Sequence, residues 1–324
     1  MDRTQSGPAR RWLRHAAPVV GLALACVLLR AAEPAWKQPG AGGTLLQPLW
    51  SLILKSGQPW ISHWLFPTVI GLASFVVTCL FFTVKDLRRQ AANKVNSDVW
   101  PTTEQLLRAA IPQLIIYFGG NLLGWRLAPF KLPMPAEAPT VTRLLAEIIF
   151  CFLVSDFLIY WEHRIMHAVP LLRRHIHSTH HRYLHPFAWA GGWVHPLEDL
   201  VVILCVATPI LLIAPHPLSV WIFVASWVAL LIEEHSGYDV FWSPYHWLPF
   251  TMGGGGAPHD PHHNLSKNQN YGFVFAIWDQ VYGTFLSVED AAVLRRGVAE
   301  RRAAKGTVRR RLAAAGAAPP AASD

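Results

Sequence analysis

Residues 64–84 pass without one charged side chain, and this run limits the possible folds more than any other feature. As a helix it extends ~30 Å, the thickness of a bilayer's hydrocarbon core. Inside hydrocarbon a spanning segment must satisfy its own backbone, which leaves helices and closed barrels. The run ends in Lys85-Asp-Leu-Arg88-Arg89, and positive charge after a span marks its cytoplasmic end. Residues 106–127 form a second run, broken by Pro112 and Gly119-Gly120, and predict a kinked or re-entrant span. Residues 144–161 form a third, which leads directly into His163. Residues 200–214 and 218–232 flank Pro215-His216-Pro217 and predict an apolar hairpin, each arm short for a full crossing. The expected fold is an all-α polytopic integral membrane protein. It has about four transmembrane helices or two hairpins, and a cytosolic helical cap.

Composition agrees: 52% of residues are hydrophobic and 15% charged, against about 25% charged in soluble domains. Residues 1–62 read as a basic segment, an apolar stretch at 16–29 and a loop. The stretch follows Arg10, Arg11 and Arg14 and fits an uncleaved anchor better than a cleaved signal peptide. Residues 63–290 form the catalytic unit, and 291–324 a basic tail that fits a solvated helix running into a disordered end. The net charge of +8 is concentrated near the two ends and suits an anionic leaflet. Nothing resembles a nucleic-acid fold. Cys26, Cys79, Cys151 and Cys205 lie in apolar runs and read as small hydrophobes, not a disulfide framework.

Eight of the sixteen histidines fall in three short clusters. His163 and His167 are four apart and share a helix face. His177-Ser-Thr-His180-His181 follows after ten residues, and His259-Asp-Pro-His262-His263 repeats its spacing. A tetrahedral zinc takes four ligands, and a catalytic one only three from protein. Eight rings therefore suit two metal ions. Imidazole suits iron, copper, zinc and nickel. A site rich in nitrogen and without thiolate leaves the metal charge largely uncompensated, which points to a pair of irons held as a strong oxidant. His15, His63, His185, His216 and His246 stand alone and read as packing or interfacial residues.

These clusters resemble the histidine boxes of the membrane-bound sterol desaturase and fatty acid hydroxylase superfamily. The likeness spans roughly residues 66–285. It is strongest in Glu234-His235-Ser-Gly-Tyr238-Asp239, Trp242-Ser-Pro, Leu248-Pro-Phe250, the last histidine box and Trp278-Asp-Gln-Val-Tyr-Gly283-Thr284. Within the superfamily these segments are similar to the cholesterol 25-hydroxylases and C4-methylsterol oxidases. The expected ligands are His163, His167, His177, His180, His181, His259, His262 and His263, with His235 as a ninth. Asp156, His195, Glu198 and Asp239 are candidate outer partners that orient ligand rings.

The resemblance implies two iron ions, dioxygen as co-substrate and insertion of one oxygen atom into an unactivated C–H bond of a sterol or other lipid. The second oxygen atom leaves as water, which requires two external electrons. No nicotinamide or flavin motif is present, so an NAD(P)H-dependent reductase must supply them, with a b-type cytochrome as a candidate carrier. The membrane is the endoplasmic reticulum in a eukaryote and the inner membrane in a bacterium, with the boxes facing the cytosol. C4-methyl oxidation, desaturation and fatty acyl hydroxylation remain open within the superfamily. A metal transporter and a zinc hydrolase are the readings outside it. The glycine run at 252–257 lacks the order of a nucleotide-binding loop and reads as a flexible approach to the last box.

Overall fold

A computed structural model describes residues 45–127, 131–265, 268–298 and 300. The apolar stretch at 16–29, His15, Cys26 and most of the basic tail lie outside the described residues. Among the described residues there is no β-strand, only isolated bridges such as His63 with Lys131. Eight helices carry the argument: α1 (Gln47–Gly57), α2 (Phe66–Leu87), α3 (Thr103–Leu127), α4 (Val141–Ala168), α5 (Pro196–Ile213), α6 (Pro217–His235), α7 (Gly256–Asn264) and α8 (Ile277–Tyr282). Of these, α2 to α6 are long and apolar enough to cross a membrane, five where the sequence suggested about four.

The difference comes from how the runs end. In α3, Pro112 lies inside a continuous 25-residue helix, long and apolar enough for a full crossing. Gln113 buries its amide there, donating from Nε2 to Ala109 O at 2.7 Å and Trp189 O at 2.9 Å. The hairpin arms lengthen to 18 and 19 residues because Glu198, Asp199, Glu233 and Glu234 belong to the helices. Charge had seemed to end those arms. Glu198, Glu233 and Glu234 are buried instead.

Local chemistry sets the helix starts. Thr140 caps α4 by accepting a hydrogen bond from Arg143 N. α5 and α6 each begin His-Pro. The Nδ1 atoms of His195 and His216 accept from Leu197 N and Leu218 N, at 3.2 and 3.1 Å, and proline fills the first helical position. His195 is therefore a helix cap and not the outer partner of a ligand. His216 also keeps the structural role expected of it, with Nε2 3.1 Å from Glu137 O.

α2 and α6 pack side by side and run parallel. Gly71 admits Val224, whose Cγ1 would lie only 3.2 Å from an added Cβ. Ser74 donates to Ala225 O at 2.7 Å, and farther along Tyr238 OH donates to Asp86 at 3.0 Å. The basic end of α2 thus lies at the same end of the molecule as His235. α4 packs against both α5 and α6. Its C-terminal half is buried and carries His163 and His167 into the interior.

Candidate metal centre

Nine histidines from four segments converge at this end. They form two adjoining groups of ring nitrogens, each able to hold a metal ion. One group has His163, His167, His177, His181 and His262. The other has His180, His235, His259 and His263. In the first, His167 Nε2 lies 2.8 Å from His177 Nε2 and 2.9 Å from His181 Nε2, and His262 Nε2 is 3.1 Å from His181 Nε2. In the second, His235 and His180 place their Nε2 atoms 3.2 Å apart, and His259 and His263 3.0 Å apart. At a metal–nitrogen distance of about 2.1 Å, ligands at right angles are about 3.0 Å apart. His163 Nε2 is buried without a hydrogen-bond partner. Three imidazole nitrogens facing one point cannot satisfy one another as hydrogen-bond partners, and the donor set therefore fits a bound cation.

Burial first, and neighbouring rings second, hold His180, His181, His259 and His263 well below the ordinary imidazole range. Burial also lowers His262 to about 3. All are therefore neutral near pH 7, the form that binds metal. Acceptors on the far ring edge select the tautomer. His177 Nδ1 lies 2.6 Å from Glu198 Oε1, His235 Nδ1 2.8 Å from Leu231 O, and His262 Nδ1 2.7 Å from Gln269 O. Each Nδ1–H donates outward and leaves the Nε2 lone pair facing the group. Glu234 Oε1 lies 3.2 Å from His259 Nδ1 without forming a hydrogen bond to it.

Two other acids serve elsewhere. Asp156 accepts from Val274 N at 2.5 Å and Phe275 N at 3.2 Å, so it anchors the segment after the last box and touches no ligand ring. Asp239 Oδ1 lies 2.6 Å from His246 Nε2, with both side chains more than a third exposed. Neither orients a ring of the centre, and His246 has a partner that its isolation in sequence concealed. His63 stacks on Trp125 with ring centroids 3.5 Å apart, a packing role.

Each histidine box is braced separately. Box 2 follows α4 through a π-helical turn over Arg173–His177 and a 3₁₀ turn over His180–Arg182. Box 3 is the α-helix α7, buried from Gly256 to His263. Asp260, between its histidines, accepts from Asn96 Nδ2 at 2.9 Å and from Asn264 and Arg295. Gly253–Gly256 is a tight packing seam and not a flexible approach. A side chain at Gly253, Gly254 or Gly256 would meet the carbonyls of Pro244, Phe273 or Tyr238. Gly255 has φ +125°, a conformation nearly confined to glycine.

A cavity of about 520 Å³ opens beside the centre. His163, His177, His180, His235 and His259 line one end, with Glu162, Glu198 and Glu234. Apolar side chains of α2, α5 and α6 line most of the remainder, including Phe75, Val206, Trp227 and Leu231. Glu162 Oε1 is buried without a hydrogen-bond partner. An acid directly before His163 in an apolar run was the signal that could have singled it out. Tyr271 also lines the cavity, its ring 5.5 Å from those of His163 and His262. None of Cys79, Cys151 and Cys205 joins either nitrogen group.

Helices long enough to span a bilayer, closed at one end by a cage of imidazoles able to hold metal, define the class of integral membrane proteins with a histidine-rich centre. Residues 148–284 match the model of the fatty acid hydroxylase family. The chain is 33% identical to cholesterol 25-hydroxylase of Rattus norvegicus over 252 residues, covering 74% of this chain and 82% of the relative. It is 32% identical to cholesterol 25-hydroxylase of Homo sapiens, covering 75% of this chain and 92% of the relative. It is also 35% identical to a very-long-chain aldehyde decarbonylase of Oryza sativa subsp. indica, over 51% of this chain and 61% of that one. No solved structure gives a significant match. The chain belongs to the fatty acid hydroxylase family, and with it to the membrane-bound oxidoreductases of lipid metabolism.

Proposed function

We propose that this protein is a di-iron monooxygenase that hydroxylates an unactivated C–H bond of a membrane sterol. One observation carries the reading: two groups of buried imidazole nitrogens adjoin one end of an elongated apolar cavity. The nine histidines are the proposed ligands, five to one ion and four to the other. Relatives named as cholesterol 25-hydroxylases support a sterol as the substrate.

Bound iron supplies the activation of dioxygen, for which no side chain here has the chemistry. The chain's own work is positional. Glu198, bonded to His177 Nδ1, keeps the opposite nitrogen of that ring directed inward, and Glu234 stands 3.2 Å from His259 Nδ1. The apolar walls take up the lipid and exclude water. The balance is one C–H bond and one dioxygen converted to one C–OH and one water, with two electrons and two protons from outside. The electrons come from an NAD(P)H-dependent reductase, through a b-type cytochrome or directly. The centre faces the cytosol, since Lys85, Arg88 and Arg89 end α2 on its side and Arg173, Arg174 and Arg182 surround box 2.

The test is purified protein assayed with a sterol panel, a reducing system and isotopically labelled dioxygen. About two irons per chain and one labelled hydroxyl per product are expected. Full activity of a zinc-loaded, iron-free preparation would overturn the reading, and so would a product without the label.

A further inference from the structure

The cavity is long as well as apolar. Its wall on α5 runs from Glu198 to Ile210, about 18 Å at the rise of a helix. Its wall on α6 runs from Val224 to His235, about 16 Å. The histidines and carboxylates occupy one end. At the other end the wall is built from the start of α2 and the second half of α3, and two polar side chains stand there: Thr68 and Asn121. They are bonded to each other, Thr68 Oγ1 to Asn121 Oδ1. The single Thr68 hydroxyl proton is shared between that oxygen and Leu65 O at 2.7 Å, and Asn121 Nδ2 donates to Tyr117 O at 2.8 Å. Thr68 is exposed and Asn121 partly so, which puts both at a mouth between α2 and α3 and not in packed interior. Gly120 beside them has open space where a side chain would be.

Polar groups exposed on spanning helices are costly in hydrocarbon and usually have a partner. Here they retain bonding capacity. The amide of Asn121 has a second N–H and a second lone pair, and the Thr68 oxygen has lone pairs to accept with. Together they can donate to one hydroxyl and accept from it. Thr68 lies one turn before Gly71, which faces Val224, and His235 is eleven residues beyond Val224. The polar pair is therefore about 20 Å from the nearest ligand segment, measured along the parallel helices.

We propose that Thr68 and Asn121 bind the hydroxyl group of a monohydroxy lipid and set, by the cavity's length, which distant carbon reaches the histidines. This rests on the hydroxylase reading above and extends it. The cavity measures from the polar head, so its substrates carry their reacting carbon about 20 Å from that head. The polar mouth opens toward the membrane face opposite the histidines, where an amphipathic lipid keeps its hydroxyl, and the apolar end enters first.

The experiment uses the purified full chain with cholesterol and its 3-methyl ether, which cannot donate a hydrogen bond. Binding and product are both measured. Wild type is expected to prefer the alcohol at least about tenfold, since a site built for a hydroxyl rejects the analogue lacking its donor. Thr68→Val and Asn121→Leu, which keep the shape, should each reduce that preference to within about twofold, and product should spread to neighbouring carbons. Thr208→Val removes a hydroxyl from the same bundle but lies outside the cavity wall, and should keep the preference. Each ratio is internal to one variant, so partial loss of folded protein does not affect it. An unchanged ratio in both variants overturns the proposal, as does a wild type that binds alcohol and ether equally or binds neither. Selective binding without any oxygenated product would overturn the hydroxylase reading and leave the hydroxyl site supported.

Discussion

Boxes 2 and 3 have the same spacing, His-x-x-His-His, yet they divide their rings in opposite ways. In box 2 the outer pair, His177 and His181, joins the five-nitrogen group, and the middle ring, His180, joins the four-nitrogen group. In box 3 the outer pair, His259 and His263, joins the four-nitrogen group, and the middle ring, His262, crosses to the five. On an ideal helix the first and last rings of this pattern are about 40° apart, and the middle one is about 100° from the last. The motif thus serves two groups: a pair of rings for one and a single ring for its neighbour. Two copies facing each other exchange their single rings and lock the groups together. The likeness extends outward in part: the first ring of each box has a carboxylate near Nδ1, Glu198 hydrogen-bonded to His177 at 2.6 Å and Glu234 3.2 Å from His259 without a hydrogen bond. The boxes reach this division by different backbones, a π turn and a 3₁₀ turn in one and an α-helix in the other.

The largest test removes a crossing ring. His262→Ala should abolish product, by at least about 100-fold, given that losing even an outer partner costs 10–100-fold. Metal analysis should show the same ion weakened in His262→Ala as in His181→Ala, and the other ion in His180→Ala and His263→Ala. If metal loss follows the boxes instead of the exchanged groups, the comparison is broken. Acid should next lower the stability of the folded chain. An unfolded imidazole takes its proton near pH 6.5, whereas His262 in the folded chain resists protonation to about 3. Between those values the unfolded state binds more protons, so stability from this ring is full above about 6.5 and falls as pH drops. The thermal unfolding midpoint, followed from pH 7.5 toward about 5, should fall while the folded chain keeps its metal. Metal lost from still-folded protein at about pH 5 would contradict this.

Smaller effects sharpen the parallel between the boxes. Glu198→Gln and Glu234→Gln should each lower metal affinity or turnover about 10–100-fold, each acting on a different ion. Equal loss of both ions in one variant would argue against separate partners. Asp156→Asn should weaken the anchor on the segment after box 3 by ~1–3 kcal/mol, visible as a lower unfolding midpoint with both ions still bound. The smallest effect belongs to His246→Ala. It removes a partly exposed pairing with Asp239 far from either group, and costs ~0–1 kcal/mol with product unchanged.

The amino-acid sequence determined the spans and the identity of the histidines that converge. Charge-free runs have few alternatives in a bilayer, and an i, i+4 pair shares a helix face whatever surrounds it. Thus α2, α4 and the nine converging histidines were legible from order alone. The tertiary structure decided which nitrogens meet. His262 joins His181 across 81 positions of chain, and spacing within a box cannot choose between two neighbouring groups. The partners of the acids were hidden for the same reason. Asp156 faces backbone amides 118 and 119 residues away, and Glu198 faces a ring 21 residues away. Glu233 and Glu234 looked like the end of a span and are instead buried, Glu233 Oε1 accepting from Gly256 N at 3.3 Å and Glu234 Oε1 lying 3.2 Å from His259 Nδ1, contacts that only the tertiary structure makes. The glycine run looked open in one dimension and is closed in three, since the carbonyls that crowd it come from distant segments.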